Sequence, residues 1–109
     1  MKVSFIFVSA YLAMSATTCW AQDSFIGGND LYNWCINEPI EAHRYVIGVS
    51  DTEAYITEGK SQIICIPETV SSIQLRDTAC LYLQNNPANR HYAAASSVLA
   101  SLVKAFPCS

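Results

Sequence analysis

Residues 70–108 read VSSIQLRDTACLYLQNNPANRHYAAASSVLASLVKAFPC. This stretch decides the fold class. Ser71 and Gln74 sit at the spacing of a capping box, with Val70 and Leu75 placed as a hydrophobic staple. A helix is therefore expected to begin at Ser71, run through LRDTACLYLQ and stop at the Asn85-Asn86-Pro87 breaker. Asn86 and Pro87 then read as N-cap and first residue of a further helix. Tyr92, Ala95, Leu99, Leu102 and Phe106 recur at helical intervals and predict its core stripe, widened by Val98 and Val103. Ala93, Ser97 and Ser101 form a small-residue face that lets a neighbouring helix come close. Pro107 ends the helix.

Working back toward the N-terminus, TEGKSQ (57–62) is a polar turn and IICIP (63–67) a short apolar extended piece. SQIICI can form a short bridge. EPIEAHRYVIGVSDTEAYI (38–56) predicts a long helix, with Pro39 in its first turn. Ala42, Tyr45, Val46, Val49 and Ile56 mark its inner face. Gly48, unfavourable by about 1 kcal/mol in mid-helix, implies close approach of another backbone. NDLYNWCIN (29–37) reads as a first short helix capped by Asn29 or Asp30, with Leu31, Trp34 and Cys35 on one face. The expected fold is all-α: a small bundle of about four short helices stapled by disulfides. No repeat or low-complexity tract interrupts it.

The disulfide expectation comes from the first residues, MKVSFIFVSAYLAMSATTCWA (1–21). Lys2, an apolar run from Val3 to Met14 and a small-x-small site ending at Ala21 make a secretory signal peptide. The run is shorter than the roughly 20 residues that span a bilayer. A lipidated Cys19 is the weaker reading, because the usual leucine and small-residue run before it is missing. Cleavage after Ala21 leaves residues 22–109 as a single helical domain in the periplasm, with no membrane contact. Of five cysteines, Cys35, Cys65, Cys80 and Cys108 then remain in an oxidising compartment. Four cysteines allow three pairings, and the sequence does not choose among them.

Charge and motif content narrow the function. All nine acids stay in the exported chain, whereas Lys2 leaves with the leader. No basic stripe exists for nucleic acid or anionic lipid. Five acids fall between Glu38 and Glu58: a solvated helix face, or a surface that meets a polar or basic partner. His43 and His91 lie outside any metal-ligand spacing, and no C-x-x-C, phosphate loop or G-x-S-x-G occurs. A Cys80/His91 nucleophile pair is weaker than a structural cysteine in an amphipathic helix. No catalytic residue, metal or cofactor is expected. Such a chain works by binding.

Several pieces occur in a specific order: Tyr45-x-x-Gly48-Val49-x-Asp51, Cys65-x-Pro67, Gln74-Leu75, Asn86-Pro87 and Ala105-Phe106-Pro107-Cys108. Together, over about Asn29 to Cys108, they resemble the resistance-associated immunity proteins against type VI secretion peptidoglycan amidase effectors. The resemblance implies a small helical periplasmic homodimer that catalyses nothing. Its partner would be a cysteine-peptidase-type amidase, inhibited by blocking its active-site cleft. It also implies a Cys65–Cys108 disulfide, whose loop of about 44 residues is worth roughly 4 kcal/mol in the chain-entropy model. The pattern further carries a cysteine just before Tyr45 as partner for the first-helix cysteine. Here that stretch is EAHRY (41–45). Cys35 therefore either pairs with Cys80, placing the first and third helices side by side, or both are buried thiols.

For partner binding, the candidates are Glu58, Lys60, Ser61 and Gln62 in the polar turn, with Glu53 and Tyr55 just before it. Two other readings fit export, size and cysteines: a small periplasmic disulfide-bonded chaperone or stress protein, and an orphan homologue that binds another exported hydrolase.

Overall fold

The computed structural model describes residues 24–109. The expected leader and its cleavage site lie outside these residues. The chain forms α1 (Gly28–Asn37), α2 (Pro39–Thr57), α3 (Ser72–Asn85), a 3-10 turn at Pro87–Asn89, and α4 (Ala94–Ala105). All four α-helices touch one another. The fold is all-α, as the periodicity predicted.

Each of the four α-helices contributes to one core. Leu31 of α1, Val46 of α2, Leu83 of α3, and Val98 and Leu102 of α4 are its largest fully buried side chains. Ala42, Ala79 and Ala94 fill the close contacts, and Ile64 seals the core from the α2–α3 connection. Ser97 and Ser101 are also buried, so the small-residue face of α4 does point inward. The Ser101 hydroxyl donates to the Val98 carbonyl at 2.6 Å, which satisfies it within its own helix.

The starts of α3 and α1 follow local chemistry, α1 with a shift. At α3 the Ser71 hydroxyl accepts from the Gln74 N–H, and the Gln74 side chain accepts from the Ser71 N–H at 2.7 Å. This is the expected capping box. At α1 the cap is neither Asn29 nor Asp30 but lies upstream of both: Gly27 is the N-cap and the Asp30 carboxylate accepts its N–H at 2.9 Å. Asp30 thus acts from the third helical position, where its charge also suits the helix dipole.

The fourth helix departs from expectation. Asn86-Pro87 starts only a 3-10 turn, and α4 begins at Ala94. The intervening carbonyls are occupied by α1: the Gly28 N–H donates to Tyr92 O and the Asn29 N–H to Arg90 O, both at 2.8 Å. A continuous helix would need those carbonyls for itself. Tyr92 consequently leaves the core stripe and is exposed. Arg90 locks the corner. Its Nε donates to Leu83 O at 2.7 Å, its Nη2 to Gln84 O at 3.0 Å, and its guanidinium lies 3.6 Å from the Tyr32 ring centre.

Two disulfides staple the bundle. Cys35–Cys80 joins α1 to α3 with Cα atoms 5.8 Å apart. Cys65–Cys108 joins the α2–α3 connection to the C-terminus with Cα atoms 5.0 Å apart. Ile64 also forms an antiparallel bridge with Pro107, and the Cys65 N–H donates to Phe106 O at 2.8 Å. The short extended bridge expected of SQIICI is this one.

Candidate functional site

The polar turn after α2 is built from both sides. On one side the last turn of α2 closes with the Lys60 N–H donating to Thr57 O at 2.9 Å. Gly59 takes φ = 71°, a left-handed conformation that suits glycine. On the other side the Cys65–Cys108 bond and the Ile64–Pro107 bridge anchor the returning strand. Between these anchors Glu58, Gly59, Lys60, Ser61, Gln62 and Ile63 are all exposed.

Beside the turn is a hollow of about 510 Å³, with Glu53 and Gln62 on its rim and Cys65 in its wall. Of the sequence candidates, Glu53 and Gln62 line this one hollow. Tyr55 does not join them. Positions i and i+2 of a helix point apart, and Tyr55 stands 79% exposed on the outer face of α2. The ion pairs among the described residues are Arg44–Glu41 and Arg76–Asp77. Glu53, Glu58 and Lys60 take part in neither pair, and the Glu53 carboxylate accepts from the Thr57 hydroxyl at 3.4 Å.

A second concavity, about 670 Å³, runs between α2 and the first half of α4. Tyr45, Val49, Ile56, Ala95 and Leu99 make it largely apolar, and Glu53 sits at the end nearer the turn. Periodicity had placed Tyr45, Val49 and Ile56 in the core. Tyr45 and Val49 are half-buried and Ile56 is exposed, because α4 covers only part of this flank. Gly48 lies on the groove's outer edge with no atom within 4 Å of where a Cβ would stand. The close backbone approach expected there is absent among the described residues. Burial raises the Tyr45 pKa above its usual 10, although the nearby Ala95 backbone pulls the other way. No group of acidic, histidine or cysteine side chains able to hold a metal occurs among the described residues.

Four helices around one core, two disulfides and an anchored polar turn define a small stapled helical domain. The sequence model of the Rap1a immunity proteins matches residues 27–108. The chain belongs to that family. It is accordingly an immunity protein against a secreted effector, which it binds, and proteins of this family are generally non-enzymatic. Neither a curated protein nor a solved structure matches the chain. The paired cysteines fit an exported protein. No helix among the described residues is long and apolar enough to cross a membrane.

Proposed function

We propose that this protein is a periplasmic immunity protein that inhibits a type VI secretion peptidoglycan amidase by occluding its active-site cleft. In this reading the turn 58–62 enters the cleft. Lys60, Ser61 and Gln62 supply its polar contacts, with Glu53 and Glu58 at its base. The chain acts as a homodimer and performs no chemistry itself.

The observation that carries the reading is the double anchoring of an exposed turn, by a helix end and by a disulfide. A turn held in one conformation loses little freedom on binding, so its contacts translate into affinity. Four exposed polar side chains on such a base make a wedge suited to a narrow cleft.

The test is co-expression with the periplasm-targeted amidase encoded beside it. The wild-type protein should prevent lysis and co-purify with the amidase. Replacing residues 58–62 by a Gly/Ser segment of equal length should leave the melting curve in place and abolish protection. Continued lysis with the wild-type protein, and no complex in a pull-down, would rule the reading out.

A further inference from the structure

The two disulfides interlock, and we infer that the chain is a client of a thiol–disulfide isomerase: the pairing its fold requires is the one its thiols find least often unaided. The inference takes the isomerase to be met in the periplasm, as read above, and is independent of the effector.

In chain order the cysteines are Cys35, Cys65, Cys80 and Cys108, and the bonds are Cys35–Cys80 and Cys65–Cys108. Each closed loop therefore contains one end of the other bond, and neither bond joins neighbours in the chain. The native loops span 45 and 43 residues. The chance of closing a flexible loop falls as about the 3/2 power of its length. Pairing neighbours, Cys35 with Cys65 and Cys80 with Cys108, closes loops of about 30 and about 28 residues and is favoured about 3.5-fold. The nested pairing closes a loop of about 15 residues between Cys65 and Cys80 and is favoured about two-fold. Chance then gives the native pairing in about one chain in seven.

The fold cannot steer the first bond. Its buried apolar core is ten side chains, five of them alanine or valine, and so short a chain is marginal without its cross-links. Nor can the chain correct an error afterwards. Residues 22–109 contain four cysteines, so once both bonds have formed no thiol is left. Exchange starts only from a thiolate, which must come from another molecule.

From the neighbour pairing, an isomerase thiolate attacks the Cys65 sulfur. The Cys35–Cys65 bond breaks, Cys35 leaves as a thiolate and a mixed disulfide holds Cys65. The Cys35 thiolate attacks Cys80, forming the native bond and releasing the Cys108 thiolate. Cys108 attacks Cys65, forming the second native bond and returning the isomerase thiolate. Two disulfides enter and two leave, so no oxidant or reductant is consumed.

The fold makes this sequence one-way. Cys35 stands in the last turn of α1, just before α2, whereas Cys65 shares a hollow with Ser50, Glu53 and Ala54 in the second half of α2. About 20 Å of helix separates Pro39 from Glu53, and a disulfide needs Cα atoms within about 7 Å. A Cys35–Cys65 bond is therefore incompatible with α1 and α2 as they pack. In the native pairing Cys35, Cys80 and Cys108 are half-buried, which withdraws their sulfurs from further attack.

The experiment uses residues 22–109, reduced, oxidised in native buffer with excess diamide, freed of it, and incubated with or without a catalytic amount of reduced thiol–disulfide isomerase. Bonds are mapped by peptide mass spectrometry. Without isomerase most chains should be mispaired. With it the native share should rise several-fold and the helical circular dichroism signal should recover. The chain carrying Cys35→Ser with Cys80→Ser can form only Cys65–Cys108, and its yield should not respond. Native pairing in most chains after diamide alone would overturn the inference. Mispaired chains that the isomerase leaves unchanged would do so too, as would an equal response of the double-serine chain. No arm contains the effector, so failure of the protection assay leaves the result standing, and the reverse holds as well.

Discussion

Gly28 and Gly48 look alike in the sequence, one at a helix start and one in mid-helix, and the structure gives them opposite roles. A Cβ at Gly28 would lie 2.7 Å from the Arg90 carbonyl oxygen, a backbone atom already held by the Asn29 N–H. Gly28→Ala is expected to destabilise by about 1–3 kcal/mol, the usual cost of overpacking. Gly48→Ala meets open space and removes a poor helix former, so it should stabilise the protomer by about 0.5–1 kcal/mol. Urea unfolding of the two variants checks the pair, and a shift in the same direction for both would contradict the assignment. Tyr45 supplies a pH signature. Its pKa is raised by burial, so the folded state favours the neutral phenol. That contribution is complete below the unfolded value near 10 and is lost as pH rises through the higher folded value. Tyr45→Phe should therefore lose less stability than the wild type between about pH 9 and pH 11, measured by chemical denaturation.

At the level of elements, local signals were legible and contacts between distant segments were not. The α3 start was readable because Ser71 and Gln74 satisfy each other within one turn. The Glu58–Gln62 turn was readable from its polar run and Gly59. The start of α4 was misjudged, because Asn86-Pro87 is a genuine local start signal that α1 overrides by taking the carbonyls of Arg90 and Tyr92. The α2–α4 groove was missed for a related reason: periodicity marks Tyr45, Val49 and Ile56 as apolar, yet cannot say how far α4 extends over them. Arg90 gave no sequence signal, since its partners Leu83, Gln84 and Tyr32 come together only in the folded chain. Its two charged hydrogen bonds hold the end of α3, and its stacking on Tyr32 ties that end to α1. Arg90→Met should cost about 1.5–3 kcal/mol. Arg90→Lys should recover little of this, because one ammonium cannot serve both carbonyls while stacking on the ring. Equal urea midpoints for the wild type and Arg90→Lys would show that the corner does not need the guanidinium fork.

For the whole molecule, the decisive balance is between a small core and two cross-links. Ten apolar side chains are buried among the described residues, and five of them are alanine or valine. A domain of this size has a stability of about 5–15 kcal/mol, toward the lower end when the core is small. Each disulfide, spanning 45 and 43 residues, contributes about 4 kcal/mol in the chain-entropy model. Losing one should leave a folded but weakened protein; losing both removes about as much as the fold has. The paired substitutions Cys35→Ser with Cys80→Ser, or Cys65→Ser with Cys108→Ser, should each keep the helical circular dichroism signal at 25 °C and lower the urea midpoint. The second pair should in addition weaken effector binding beyond its stability cost, because it releases one anchor of the 58–62 turn. Full reduction should unfold the chain cooperatively. The same balance ties the fold to its compartment: residues 22–109 produced in a reducing cytosol should be unfolded and degraded, and those exported to an oxidising one folded. Retention of native circular dichroism and an unchanged urea midpoint after complete reduction would show that the core suffices alone.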